Sequence, residues 1–196
     1  MTKLLLILIL TFSFQSPAKA DDIRDFQIEG MSIGDSALDY FNESELKKFK
    51  RKTKFKDKSF SRYLIVKHKN HSKKFDAVRI YTKASDKNYT IYSLGGMKQY
   101  PNNFKKCLKV RDEIIADINK ILSNNIIYKK KKINKRIRRQ DKSGKSFDDV
   151  IVYDFNNGDQ MLAMCIDWSK KMKYSDMMDL DILSSEIKDW NLKQKL

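Results

Sequence analysis

Apolar side chains recur along this chain with two different periods. Between residues 104 and 122 they return every three or four positions. Phe104, Cys107, Leu108, Ile114, Ile115, Ile118, Ile121 and Leu122 share one face, interrupted by Arg111. This spacing predicts an amphipathic helix over 104–123, capped by Asn103, with Cys107 turned toward the layer beneath. Elsewhere the period is two. Strands are expected at 24–29, 62–68, 75–82, 88–94, 149–155, 160–168 and 178–183. Asn70-His71-Ser72 and Ser85-Asp86-Lys87 read as turns between neighbours, and Gly95-Gly96 as the end or a bulge of the strand over 88–94. Asn156-Asn157-Gly158-Asp159 carries the Asn-Gly pair that favours a tight hairpin.

Capping patterns add short helices. Ser32 with Asp35 predicts one through Phe41, on whose inner face Ile33, Ala37 and Leu38 would lie. Asn42 with Glu45 repeats the logic for a second through Phe49. Ser184, Glu186 and Ile187 point to a C-terminal one ending near Trp190. The order predicts an α+β domain: an antiparallel β-sheet with one long helix packed on a face and short N-terminal helices.

The first twenty residues read differently. Lys3 precedes an apolar run over 4–14, a break at Gln15-Ser16-Pro17, and Ala18-Lys19-Ala20, the small-x-small pattern of a signal-peptidase site. The run is too short to span a bilayer as a helix. The expected organisation is a signal peptide over 1–20 and a single domain over 21–196, exported to the periplasm or the medium, with no transmembrane segment in the mature chain. Cys107 and Cys165 are the two cysteines, and in an oxidising compartment they are expected to pair, joining the helix to a strand.

Charge changes the picture next. The chain carries 41 Lys and Arg against 25 Asp and Glu, a net +16. The excess is concentrated in two runs: KKFKRKTKFKDK over 47–58, and KKKKINKRIRRQDKSGK over 129–145, the latter expected to form a long hairpin or loop. Two readings stand: solvated surface, or a site for a polyanion such as nucleic acid or an anionic membrane. For the second, the candidate residues are Lys47, Lys48, Lys50, Arg51, Lys52, Lys54, Lys129, Lys130, Lys131, Lys132, Lys135, Arg136, Arg138 and Arg139. Such a site requires the two runs to lie close together on one face.

Chemical motifs add little. Gly144-Lys145-Ser146 has the look of a phosphate-binding loop, but Arg139 stands where its first glycine belongs. Ser44-x-x-Lys47, Ser123-Asn124-Asn125 and Lys142-Ser143-Gly144 follow the order seen in penicillin-recognising serine enzymes, yet the chain is too small for their helical subdomain. His68 and His71, the only histidines, stand among lysines that repel a cation. The pairs Asp148/Asp149 and Asp179/Asp181 have the residue type for acid–base work but no distinguishing spacing. No metal, cofactor or catalytic residue is expected.

The stretches DIRDFQIEGMSIGDSALDYF, DKNYTIYSLGG, DKSGKSFDDV and MCIDWSKKMKYSD resemble an uncharacterised family of small exported proteins from marine alphaproteobacteria. The resemblance implies export and a shared fold, and transfers no functional residue. IEGMSIGDSALDYF is also loosely similar to the opening of small outer-membrane assembly lipoproteins, although the lipid-acceptor cysteine is missing. The reading favoured by the sequence is a non-enzymatic exported domain that binds an envelope component or protein. A polyanion-binding module is the alternative, and an envelope hydrolase the third possibility.

Overall fold

The structure is a computed structural model, and it describes residues 22–66, 74–122 and 127–194. Eight strands form one sheet: β1 (Lys50–Arg51), β2 (Phe60–Val66), β3 (Ala77–Lys83), β4 (Ser93–Gln99), β5 (Tyr128–Ile137), β6 (Phe147–Phe155), β7 (Gln160–Asp167) and β8 (Met177–Leu183). Their spatial order is β1-β2-β3-β4-β8-β7-β6-β5. Every neighbouring pair is antiparallel. The chain thus builds two four-stranded meanders and joins them along β4 and β8. Among the described residues three α-helices accompany the sheet: α1 (Glu43–Phe49), α2 (Phe104–Ile121) and α3 (Ser185–Lys193). The α+β architecture expected from the sequence is the one observed, with α2 carrying the chain from the central strand β4 to the far edge at β5.

The helix boundaries follow their caps. Asn103 accepts a hydrogen bond from the Lys106 amide at 3.0 Å and opens α2. Asn42 and Glu45 form the reciprocal box that opens α1. The stripe on α2 buries Cys107, Ile115 and Ile118 against the sheet. Arg111, the polar residue within the stripe, is buried too: its guanidinium donates to the Asp112 carboxylate and, at 3.1 Å, to the Asp149 carbonyl. Cys107 and Cys165 are joined in a disulfide, with Cα atoms 5.9 Å apart, that fastens α2 to β7. A bridge between residues 58 apart contributes about 4 kcal/mol by restricting the unfolded chain.

Side-chain alternation sends the two faces of the sheet to different cores. One face carries Tyr63, Ile65, Val78, Ile80, Leu94, Ile151, Tyr153, Met161, Leu180 and Ile182, covered by α2 and residues 23–41. On the other, Ile187 and Trp190 of α3 pack on Phe60 and Leu183. Val150, Val152, Met164 and Ile166 form a further cluster on that face.

Three expectations are corrected. Residues 24–29 are not a strand, because Glu29 and Gly30, both at positive φ, fold the chain back so that Ile28 bridges only to Met31. The helix expected from Ser32 to Phe41 shrinks to a single 3-10 turn, Ala37–Asp39. Gly34 adopts φ +95° and its amide donates to the Ile91 carbonyl, which diverts the chain before a helix can propagate. Gly95 and Gly96 do not end a strand over 88–94 but lie inside β4, at the centre of the sheet. A Cβ on Gly95 would collide with the Asp181 carboxylate, and one on Gly96 with the ring of Phe75. The glycines are therefore openings that side chains from β3, β8 and the segment before β3 occupy. The expected turn at 70–72 and the signal peptide lie outside the described residues.

Candidate functional site

The two basic runs are not brought together. Residues 47–58 end α1, form β1 and lead into β2 at one edge of the sheet, whereas residues 129–145 form β5 and the turn after it at the opposite edge. Seven strand spacings separate the edges, about 34 Å measured along the sheet. The proximity that a joint polyanion site demands is absent. Of the two forms expected for the second run, the long hairpin is the one observed: β5 pairs with β6 in register from Tyr128↔Phe155 to Ile133↔Val150.

Several of the candidate cations have structural partners. Lys47 pairs with Glu43 at 3.4 Å, and Arg51 donates to the carbonyls of Lys48 and Lys50. Arg136 and Arg138 converge on Asp148, whose side chain is fully buried, at 2.8 and 2.6 Å. Lys130 and Lys135 lie over the rings of Tyr153 and Phe147. Lys48, Lys50, Lys52, Lys54, Lys129, Lys131, Lys132 and Arg139 are exposed.

The acidic pairs are also held. Asp149 accepts the Lys135 amide at 2.6 Å. Asp179 and Asp181 share Arg79, whose Nη2 donates to them at 2.9 and 2.5 Å. Register explains how: Arg79 lies opposite Gly95, and Gly95 opposite Asp181, so the missing side chain lets the guanidinium reach across β4. Burial pushes the Asp181 carboxyl up to about 6 and Asp179 beside it adds to the rise, while Arg79 opposes both. Arg79 is held firmly protonated by its two acids, against the effect of its own burial. Asp141 works differently. It accepts from the hydroxyls of Ser146 and Ser169 and from the Ser143 amide, which keep its carboxyl well below the usual range. This ties the turn after β5 to the segment after β7, and Ser146 is fully buried inside it.

A further feature is a cleft of about 580 Å³ between α2 and the N-terminal segment. Met161, Met178, Leu180 and Ile182 form its floor, Phe26 and Ile28 one wall, and Val110, Ile114, Ile118 and Ile121 the other. Phe75, lying over Gly96, and Tyr100 complete it. The α2 residues recur at i, i+4, i+8 and i+11, so the cleft follows the helix for about 16 Å. Its polar members, Asp25, Gln27, Lys74 and Asp117, are all exposed. Sequence reasoning found most of the α2 stripe but read it all as contact with the sheet. Val110, Phe26, Phe75, Tyr100 and the two methionines were missed, because no local pattern tells that two segments will stand apart over part of their length.

Among the described residues, no group of three or more His, Cys, Asp or Glu is placed to hold a metal ion, and no helix is long and apolar enough to cross a membrane. His68, His71 and Ser123-Asn124-Asn125 lie outside the described residues. No protein-family model, curated protein or solved structure matches the chain.

Proposed function

We propose that this protein is a non-enzymatic exported domain, acting in the periplasm or outside the cell, that binds an envelope component or protein by taking an aliphatic part of it into the cleft along α2. The cleft carries the reading. Its volume falls within the range of small-molecule sites, and its apolar lining and exposed polar rim match their usual composition. Its length along one helix favours a linear chain over a compact ring. The leader-like residues 1–20 and the Cys107–Cys165 bridge support an oxidising, exported setting.

A chain-length series tests it. Each methylene buried contributes about 0.8 kcal/mol, so saturated fatty acids should displace a solvatochromic probe such as anilinonaphthalene sulfonate with an affinity that climbs about fourfold per carbon and then levels off. Ile114→Lys, on the half-buried wall, should abolish displacement with an unchanged far-ultraviolet spectrum. No displacement by any chain length, or an affinity indifferent to length, overturns the proposal.

A further inference from the structure

The far edge of the sheet carries a second surface, independent of the cleft. β5 is ten residues long and, among the described residues, has a neighbour on one side only. Alternate amides and carbonyls along its outer side therefore have no ladder partner in the sheet. From Tyr128 to Ile133 its pairing with β6 is regular, and the irregularity falls beyond, between Ile133 and Arg136, where Lys135 adopts φ +48°. The regular stretch is held from beneath. Tyr128 packs on Tyr153 and Phe155, and Lys130 lies over the Tyr153 ring.

Along this stretch Lys129, Lys130, Lys131 and Lys132 follow one another, all exposed. Alternation places Lys129 and Lys131 on one face and Lys130 and Lys132 on the other. Their partners across β6 are Asp154, Tyr153, Val152 and Ile151, so one acid faces four cations. Asp154 is itself engaged by Gln160, which donates to it at 2.7 Å.

We propose that the outer edge of β5 accepts an extended acidic segment of a partner protein as a ninth strand of the sheet. Main-chain hydrogen bonds supply the attachment, and acidic side chains on both faces of the added strand meet the four lysines. A second copy of β5 is rejected by the same feature, since antiparallel self-pairing sets lysine against lysine. A phosphodiester chain finds the same charge but has no amide row to offer the open edge, which favours a polypeptide over nucleic acid.

The test uses the full domain and a labelled eight-residue peptide with four consecutive glutamates flanked by valine and threonine, read by fluorescence anisotropy at low salt. In an added strand only alternate amides face the sheet. N-methylation of one alternate set should therefore weaken binding by about tenfold or more, while methylation of the other set leaves it unchanged. Replacing Lys129, Lys130, Lys131 and Lys132 together with Gln should abolish binding. Replacing Lys48, Lys52 and Lys54 at the opposite edge should not, and circular dichroism would verify both folds. Amide exchange at alternate positions of β5 should slow when the peptide is present. The proposal is overturned if the peptide does not bind, if both methylated peptides bind like the parent, or if an oligothymidylate of equal charge binds as tightly.

Discussion

The Arg79 and Asp148 clusters are built from the same residue types in inverse ratio. In the first, one arginine on β3 serves two carboxylates on β8, and all three side chains are largely withdrawn from solvent. In the second, one fully buried carboxylate on β6 serves two arginines, with Arg136 44% exposed and Arg138 19% exposed. Among the groups in direct contact the surplus is negative and buried in one case, with Arg62 acting on Asp181 only from a distance, and positive and partly hydrated in the other. A carboxylate can take up a proton and discharge its surplus, whereas a guanidinium cannot lose one in any usable pH range. The first cluster therefore has an escape through pH that the second lacks.

Arg79→Ala is expected to have the largest effect. It strands two buried carboxylates and should cost about 3–5 kcal/mol near neutrality. Burial raises the folded-state pKa of such acids above the unfolded value, so the penalty is absent below the unfolded pKa and accumulates as pH rises through the folded one. Urea unfolding should show the variant recovering much of its deficit near pH 4. An equal deficit at both pH values would break the comparison. Asp148→Ala comes next, at about 3 kcal/mol, because Arg136 can turn to water while Arg138 remains mostly buried. Here the loss should stay constant between about pH 5 and pH 8, since the stranded groups are guanidiniums. A loss that varied by more than the fitting error across that interval would remove the distinction.

Asp181→Asn should go the other way. Removing the surplus negative charge while keeping an oxygen for Arg79 should stabilise the domain on the order of 1 kcal/mol at neutral pH. The gain should fade as pH falls from about 6 toward 4, where the folded wild-type chain already carries the proton. Thermal unfolding of the pair of proteins across that range would check both sign and trend, and a destabilised variant at pH 7 would refute the assignment. Arg136→Gln should have the smallest effect, under about 1 kcal/mol, because a half-exposed ion pair is weakened by solvent and Arg138 still satisfies Asp148. A larger loss would mean that the two arginines are not interchangeable partners.

Signals contained within a few residues were legible in the sequence. The Asn42–Glu45 box, the α2 stripe, the Asn-Gly hairpin and the placement of Cys107 on the inner face all have local causes, and all are observed. Signals that depend on a distant partner were not. Consecutive lysines erase the alternation by which β5 would be recognised, and it is a strand because β6 is apolar beside it. Gly95-Gly96 read as an end or a bulge because the residues that need the space, Asp181, Arg79 and Phe75, come from elsewhere in the chain. Charge itself was plain, but the separation of the two runs is a property of strand order. The cleft was half-legible: the α2 wall shows in the periodicity, while its gap belongs to the irregular path of residues 23–41.

The seam between β4 and β8 sets a timetable for synthesis. β1 to β4 are complete early, and each finds its neighbour within a short stretch of chain. β4 must then wait for β8, the last strand to be made, while α2 and three further strands emerge. At ordinary rates of elongation that interval lasts several seconds. During it the nascent chain presents an unpaired, glycine-bearing border at the middle of its future sheet, with Arg79 nearby and neither of its acids yet translated. Closure of that border is the step at which a competing strand from another nascent chain would do most harm. Its guard in the finished molecule, the Arg79 latch, can act only after the danger has passed.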